Sequence, residues 1–178
     1  DLTISDGVTL TVNGLITIQG TVKISGGGTI KRADEYNAEI FNVSTGNSLT
    51  LNGVVLDGGA VYGNAPENVT ENTNATAMKE FLVFDYESNT GKKDVGLLID
   101  VAGGSLVMRN NTVLQNNATS VSARDNYYND YPEKRTCAGI GVREGGIFTM
   151  EGGQISRMVG PSVLVNDLES KFIMSGGK

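Results

Sequence analysis

The pentapeptide LTLNG at residues 49–53 decides the fold, because its pattern returns from one end of the chain to the other. A large apolar residue is followed by a variable one, a second large apolar residue, a polar residue and glycine. Side chains two residues apart point to the same face of a β-strand, so both apolar positions face one core. The other copies are LTVNG (10–14), VKISG (22–26), LVMRN (106–110), FTMEG (148–152) and FIMSG (172–176).

The fifth position of this repeat is Gly in five copies and Asn in the sixth. These two residues adopt a positive φ angle more readily than the others. The column therefore predicts a left-handed backbone turn after each strand. Repeated tight turns also explain why the chain contains 24 Gly but only 3 Pro.

Two further strand motifs accompany the pentapeptide. An apolar triplet precedes it, as Ile99-Asp100-Val101 precedes Leu106, and Leu2-Thr3-Ile4 stands before Leu10 in the same way. A third strand follows the glycine, as in Val54-Val55-Leu56. One coil is therefore predicted to consist of strand, turn, strand, Gly turn and strand.

If the coils stack in parallel, equivalent positions lie about 4.8 Å apart. The second apolar position of the pentapeptide then forms one column inside the coils. Met108, Met150 and Met174 are its last three members. We predict that they stack at one end of the core, where their flexible side chains fill irregular gaps.

The spacing of the turns is uneven. Gly152 and Gly176 are 24 residues apart, whereas 57 separate Gly53 from Asn110 and 42 separate Asn110 from Gly152. We interpret each long interval as one coil plus an insertion, and we call residues 60–96 the first insertion and residues 119–136 the second. Residues 1–20 are predicted to be an N-terminal cap or an irregular coil. Residues 1–178 together form a single predicted domain, which we expect to be excised from a longer protein.

With these repeats, the chain resembles the right-handed parallel β-helices of the pectin-lyase-like superfamily. It is similar above all to the Gly- and Asn-rich solenoids of bacterial surface proteins and adhesins. The resemblance implies an all-β fold, a right-handed parallel β-helix (β-solenoid) with two loop insertions, and an extracellular place on a bacterial cell surface. It rests on the coil pattern and not on a functional motif, so it indicates fold more strongly than function.

Composition excludes several classes of function. The net charge is −6 and the pI about 4.6, which disfavours nucleic-acid binding because phosphate contact needs a basic surface. The chain has no His, which removes the commonest general base and the commonest zinc ligand. A single Cys excludes an internal disulfide. No apolar stretch approaches the roughly 20 residues of a membrane helix, so no membrane insertion is expected in this segment.

Catalysis is also disfavoured by the pattern of carboxylates. β-Helix hydrolases use stacked carboxylates with a His, and the lyases bind calcium through acidic clusters. Here Asp57 aligns with Gln115 and Ser156, so no carboxylate stack is predicted. Asp100 stands alone in its row, and we expect it to form an ion pair with Arg143 of the next coil. We therefore expect a domain that is not an enzyme.

Aromatic residues in the insertions are the candidate binding residues. Three of the six Tyr fall within residues 127–131, beside Arg135, and Tyr and Arg are typical anchors of protein interfaces. Equivalent positions of successive coils are neighbours, so the insertions are predicted to lie side by side as one composite surface. Sealing of the coil wall by these Tyr is the open alternative. The candidates are Tyr127, Tyr128, Tyr131, Arg135, Tyr62 and Tyr86.

The leading hypothesis is a non-catalytic binding domain of an adhesin that recognises a host protein, such as an immunoglobulin or mucin, or a glycan. The alternatives are a polysaccharide lyase or hydrolase, and a passive stalk segment. No cofactor is expected, and the alternative is a calcium ion in the second insertion. Its ligands would be Asp125, Asn126, Asn129 and Asp130.

Overall fold

The computed structural model describes residues 1–60, 62–64, 82–84, 96–118 and 138–178, with the backbone alone at 62–64, 82–84, 118 and 159. In these ranges every regular element is a β-strand, and no helix suited to crossing a membrane occurs. The strands are β1 (Leu2–Ile4), β2 (Thr9–Val12), β3 (Ile16–Thr17), β4 (Thr21–Gly26), β5 (Thr29–Arg32), β6 (Phe41–Ser44), β7 (Ser48–Asn52), β8 (Val55–Asp57), β9 (Tyr62–Asn64), β10 (Leu82–Phe84), β11 (Ile99–Ala102), β12 (Ser105–Met108), β13 (Val113–Ala118), β14 (Ile140–Arg143), β15 (Ile147–Met150), β16 (Gln154–Val159), β17 (Val163–Val165) and β18 (Lys171–Met174).

Three parallel sheets contain all of these strands except β9 and β10, which pair with each other in antiparallel fashion. Sheet 1 has the order β1-β4-β7-β12-β15-β18, sheet 2 β2-β5-β8-β13-β16 and sheet 3 β3-β6-β11-β14-β17. The chain visits sheets 1, 2 and 3 in turn and then returns to sheet 1 one position further along. This cyclic order is consistent with a parallel β-helix or solenoid.

We number the coils from the N-terminus. Coil 1 comprises β1 to β3 and coil 2 comprises β4 to β6, while coil 3 comprises β7, β8 and β11. Coil 4 comprises β12 to β14 and coil 5 comprises β15 to β17, after which β18 adds one more strand to sheet 1. Residues 1–20, predicted as a cap or an irregular coil, thus contribute one strand to each sheet.

The predicted register of sheet 1 is confirmed from coil 2 onward. Leu49 pairs with Val22 and Leu106, and Leu106 pairs with Phe148. The register of the methionine column is also confirmed, since Met150 pairs with both Met108 and Met174. Met108 and Met150 are buried as predicted, whereas Met174 is 52% exposed, because no described coil follows β18 to cover it.

Stacked side chains between the sheets form the core. The rings of Phe148 and Phe172 are parallel to within 11°, with centroids 4.9 Å apart, close to the spacing of parallel strands. Leu49, Leu51, Leu106 and Met108 are completely buried. Coils that stack at the strand spacing thus bring identical positions into direct van der Waals contact.

The prediction for the first copy of the repeat was wrong. Residues 10–12 belong to β2 of sheet 2, where Leu10 pairs with Ile30. Sheet 1 begins instead with β1, in which Leu2 pairs with Ile24. The two N-terminal strands carry nearly the same alternation, Leu-Thr-Ile and Leu-Thr-Val, so the local pattern does not distinguish the sheets that they join.

The predicted left-handed turn occurs at the end of β4 and after β7, β12, β15 and β18, but its position varies, and Gly14 of the first copy has no positive φ. Gly26 and Gly53 have φ values of 116° and 83°. In later coils the positive φ falls one residue after the predicted position, at Asn111, Gly153 and Gly177. The fifth position of the repeat is therefore a turn position throughout and a left-handed one only in coils 2 and 3.

The connections between the sheets differ sharply in length. Those from sheet 1 to sheet 2 and from sheet 3 to sheet 1 contain two to five residues each. Those from sheet 2 to sheet 3 range from three to 41 residues. We call this third set of connections the variable corner; it comprises residues 13–15, 33–40, 58–98, 119–139 and 160–162. Long connections on one side of a regular scaffold are where binding residues tend to reside.

Candidate binding surface

The bases of the two insertions are neighbours at the variable corner. The first insertion lies between β8 and β11 of coil 3, and the second lies between β13 and β14 of coil 4. Where the chain leaves the coils, the N–H of Ala60 donates to the carbonyl of Asn116 at 2.7 Å. Where it returns, the N–H of Leu98 donates to the carbonyl of Gly139 at 2.9 Å. Both ends of one insertion are thus joined to the matching ends of the other.

A buried guanidinium lies directly beneath this junction. Arg32 is the last residue of β5 and points inward, because it is two residues after the buried Ile30. Only 2% of its surface is exposed. Its Nη1 donates to Oδ1 of Asn117 at 2.6 Å, and its Nη2 donates to the carbonyls of Gly96 and Leu97, each at 3.0 Å. Arg32 therefore joins coil 2 to the point where the first insertion returns.

Asn117 completes the connection to the second insertion. Its side chain is fully buried, and its Nδ2 donates to the carbonyl of Ala138 at 2.5 Å and to that of Gly96 at 3.0 Å. Arg32 lies in coil 2 and Asn117 in coil 4, so their hydrogen bond bypasses coil 3. Gly58 supplies the space, because a Cβ on that residue would lie 2.5 Å from Oδ1 of Asn117.

Burial changes the acidity of this guanidinium. Desolvation lowers the pKa of Arg32 to about 10, although electrostatic interactions with Tyr36 and Glu39 act to raise it. Arg32 is therefore still charged at neutral pH. Its η nitrogens donate to neutral amide and carbonyl oxygens, and its Nε has no hydrogen-bond partner within the described part of the chain.

A second polar cluster holds the same junction from the outer side of sheet 2. Asp57 ends β8, and its Oδ1 accepts the backbone N–H of Gly59 at 2.7 Å. Its Oδ2 accepts Nε2 of Gln115 at 3.0 Å and Nδ2 of Asn116 at 2.8 Å. Asn116 has a φ of 56°, so β13 bends at this point. The departing chains of both insertions are therefore fixed from the outer as well as the inner side.

The connection 33–40 of coil 2 adds an acidic surface beside the first insertion. Its backbone joins the root of that insertion, since the N–H of Gly96 donates to the carbonyl of Asn37 at 2.7 Å. A groove of about 560 Å³ lies here, lined by Asn13, Ala33, Asp34, Glu35 and Tyr36.

Tyr36 is the aromatic side of this groove. Its hydroxyl donates to the carbonyl of Glu39 at 2.7 Å. Burial, reinforced by the negative charge of Glu39, raises the pKa of the Tyr36 hydroxyl. The phenol therefore stays protonated at neutral pH, and Tyr36 lines the groove together with the acidic residues Asp34 and Glu35.

The side chains predicted from the sequence to bind a ligand fall outside the described residues. These are Tyr127, Tyr128, Tyr131, Arg135 and Tyr86; Tyr62 begins β9, where the backbone alone is described. The candidate calcium ligands Asp125, Asn126, Asn129 and Asp130 lie outside the described ranges as well.

The row of stacked positions that contains Asp57 has the neighbours predicted from the sequence. Asp57 pairs in register with Lys31 and Gln115, and Gln115 pairs with Ser156, so no second carboxylate joins this row. In the ranges that the structure covers, no group of three or more His, Cys, Asp or Glu is placed to hold a metal ion.

The ion pair predicted between Asp100 and Arg143 is present. Nε of Arg143 donates to Oδ1 of Asp100 at 3.0 Å and Nη2 donates to Oδ2 at 2.8 Å, while Nδ2 of Asn42 donates to Oδ2 at 3.1 Å. Only 10% of the Asp100 side chain is exposed, against 41% for Arg143. Its hydrogen bonds to Asp100 raise the pKa of Arg143. The carboxylate is thus occupied by its neighbours, which indicates a structural role.

Sequence reasoning missed four residues that shape the variable corner: Arg32, Tyr36, Gly58 and Asn117. A signal for Arg32 was present, because an arginine two residues after Ile30 occupies an inward position of a strand. Its partner Asn117 is 85 residues away in sequence, and no local pattern connects them.

Comparison with known proteins adds no relative. No family model matches this chain, and neither a curated protein nor a solved structure matches it.

Proposed function

We propose that this chain is a non-catalytic binding domain of a bacterial cell-surface protein of the adhesin type. In this proposal the coils form a right-handed β-helix, the hand that parallel crossover connections favour, and serve as a rigid scaffold. The two insertions form one contact surface for a host protein, such as an immunoglobulin or a mucin, or for a glycan. The domain works outside the cell and needs no cofactor.

One observation carries the proposal: the roots of both insertions are joined at the variable corner. The Ala60–Asn116 and Leu98–Gly139 hydrogen bonds bring the two segments to the same place on neighbouring coils. Segments that leave and return together are held within reach of one ligand. Two of the three corners carry only short connections, so the surface is confined to one side of the molecule.

The composition of the insertions supports binding through aromatic anchors. Tyr127, Tyr128 and Tyr131 are concentrated in the second insertion beside Arg135. Tyr offers a large contact area at low conformational cost, and its ring also stacks on sugars. The groove beside Tyr36 extends the same side of the molecule toward coil 1.

Arrays of host extracellular proteins and of glycans, probed with the purified chain, test the proposal and distinguish the two ligand classes. We expect a ligand on one array, and we expect substitution of Tyr127, Tyr128, Tyr131 or Arg135 by Ala to weaken its binding by about 1–4 kcal/mol each. Arg109→Ala, on a wall of the coils, serves as the control and should bind as the parent does. Unaltered binding by the triple Tyr variant would refute the assignment.

A cleavage assay and the same arrays address the two competing functions. Cleavage of polygalacturonate in the presence of calcium, seen as unsaturated product in the ultraviolet, would establish a lyase instead. A chain that binds no member of either array would have the role of a passive stalk segment.

A further inference from the structure

The dipeptide Asn-Gly occurs twice in the chain, at residues 13–14 and 52–53, each time between apolar neighbours. Asn-Gly is the dipeptide most prone to spontaneous deamidation, because glycine has no Cβ to hinder the approach of its nitrogen to the preceding side chain. The local sequence therefore gives the two copies similar reactivity. A difference between their rates in the folded chain has to come from the fold.

The reaction needs no enzyme and no oxidant. The backbone nitrogen of the glycine loses its proton and attacks Cγ of the asparagine, and the side-chain nitrogen leaves as ammonia. The product is a succinimide ring. Water then opens this ring at either of its two carbonyls, which yields an aspartate or an isoaspartate. Ring closure requires the glycine nitrogen to move into position against Cγ, so a fold that holds this nitrogen slows the reaction.

The fold restrains the copy at residues 52–53. Asn52 ends β7, where it pairs with Ser25 of the preceding coil. The N–H of Gly53 donates to Oγ1 of the buried Thr112 at 3.0 Å, so the attacking nitrogen has to give up this hydrogen bond. A Cβ on Gly53 would lie 2.7 Å from the carbonyl oxygen of Gly26, so the neighbouring coil encloses the turn. Ring closure here therefore requires local opening of the coils.

The fold leaves the copy at residues 13–14 open. It belongs to the connection between β2 and β3 of coil 1, which are the outermost described strands of sheets 2 and 3. Asn13 is exposed, and no atom beyond its chain neighbours lies within 4 Å of the missing Cβ of Gly14. Among the described residues, no hydrogen bond engages the N–H of Gly14 or the side chain of Asn13. The attacking nitrogen is therefore unrestrained by the described part of the chain.

We infer that Asn13 is a site of spontaneous deamidation, at which the folded chain acquires an aspartate or isoaspartate while Asn52 stays intact. Asn13 lines the groove beside Tyr36 that also contains Asp34 and Glu35. Conversion of its amide to a carboxylate gives this groove a third acidic side chain and raises the net negative charge of the chain by one. The charge of the groove thus increases with the age of the protein, and this inference does not rest on the proposed function.

Peptide mapping of the aged protein tests the inference. The folded chain is incubated in mildly alkaline buffer, digested at mildly acidic pH and read by tandem mass spectrometry, which detects the mass gained when OH replaces NH2. The tryptic peptide 1–23 contains Asn13 as its only asparagine. We expect deamidation at Asn13 to be at least tenfold faster than at Asn52, with isoaspartate among the products. Equal rates at the two sites, or an unmodified Asn13, would overturn the inference.

Two controls separate the fold from the local sequence. In guanidinium chloride, once the β-sheet signal in circular dichroism is lost, Asn13 and Asn52 should deamidate at similar rates. A tenfold preference for Asn13 that persists there would overturn the structural argument. Thr112→Val removes the acceptor of the Gly53 N–H and should accelerate deamidation at Asn52 alone. An unchanged rate at Asn52 in this variant would refute the hydrogen bond as its restraint.

Anion-exchange chromatography reads the change in charge. The aged parent chain should resolve into the original species and a more acidic one, whereas Asn13→Gln, whose longer side chain cyclises far more slowly, should remain a single species over the same time. A more acidic species that forms equally fast in Asn13→Gln would place the reaction elsewhere and overturn the assignment. These measurements use no ligand, so their outcome and that of the binding arrays are independent.

Discussion

Substitution of Gly53 by Ala tests how closely coils 2 and 3 stack, because it adds a single methyl group between them. Gly53 forms the turn after β7 at a φ of 83°, and a Cβ there would lie 2.7 Å from the carbonyl oxygen of Gly26 in the preceding coil. The turn cannot move away freely, because its N–H donates to Oγ1 of the buried Thr112 in the following coil at 3.0 Å. The methyl group is therefore confined between coils 2 and 4.

Gly46 is the matched control for the strain that a left-handed backbone imposes on alanine. Its φ is 80°, nearly that of Gly53, yet no atom lies within 4 Å of its missing Cβ. Gly46→Ala therefore measures left-handed strain alone, about 1 kcal/mol after the lower entropy of the unfolded chain is counted. Gly53→Ala adds the clash, which by analogy with overpacked cores costs about 1–3 kcal/mol more.

Thermal and urea unfolding followed by circular dichroism measure both terms. At about 3 °C per kcal/mol for a domain of this size, Gly46→Ala should melt about 3 °C below the parent and Gly53→Ala about 6–12 °C below it. Equal losses for the two variants would refute the close approach of coils 2 and 3 at this turn.

Two further predictions concern charged groups. Arg143→Met removes two of the three hydrogen bonds described for the buried Asp100 carboxylate, and we expect urea unfolding to show a free energy of unfolding about 1–3 kcal/mol lower. Arg109→Met breaks an exposed ion pair and should lower it by about 0–1 kcal/mol. Equal losses would contradict the burial of Asp100. Asp167→Asn should lower the melting temperature at neutral pH, because hydrogen bonds from Ser170, and then from the amides of Glu144 and Gly145, hold the pKa of Asp167 below 3.8. That contribution is present above the unfolded pKa and disappears as the pH falls through the folded one, so the parent and variant should converge in acid. A difference that persists undiminished there, or an equal effect in the control Glu169→Gln from the same turn, would contradict the role of this carboxylate.

The regular part of the fold was predictable because a parallel coil repeats the same backbone requirement. Leu49, Leu106 and Phe148 were placed in one row from the pentapeptide alone, and the register agrees. The same logic paired Asp100 with Arg143 across one coil. It failed at Leu2 and Leu10, where two strands of equal pattern belong to different sheets.

The surface was predictable only in outline. Irregular spacing of the turns predicted two long intervals, and the strands confirm long connections in coils 3 and 4. Stacking predicted that their ends are neighbours, as the Ala60–Asn116 hydrogen bond shows. The buried link between Arg32 and Asn117 was not predictable, since it depends on a gap at Gly58 and on partners far apart in sequence. Contacts of this kind follow from three-dimensional packing and produce no periodic pattern in the sequence.

Removal of the insertions is the most direct test of the central claim, that this solenoid binds a ligand through one surface at its variable corner. In the variant, short Gly/Ser linkers replace residues 61–95 and 119–137, which leaves Arg32, Asn117 and their carbonyl partners in place. The measurement is the binding of this variant and of the parent chain to the same host-protein and glycan arrays, with circular dichroism to verify the sheets. We predict that the parent binds and the variant, with its β-sheet signal retained, does not. Equal binding by the two chains would contradict the claim.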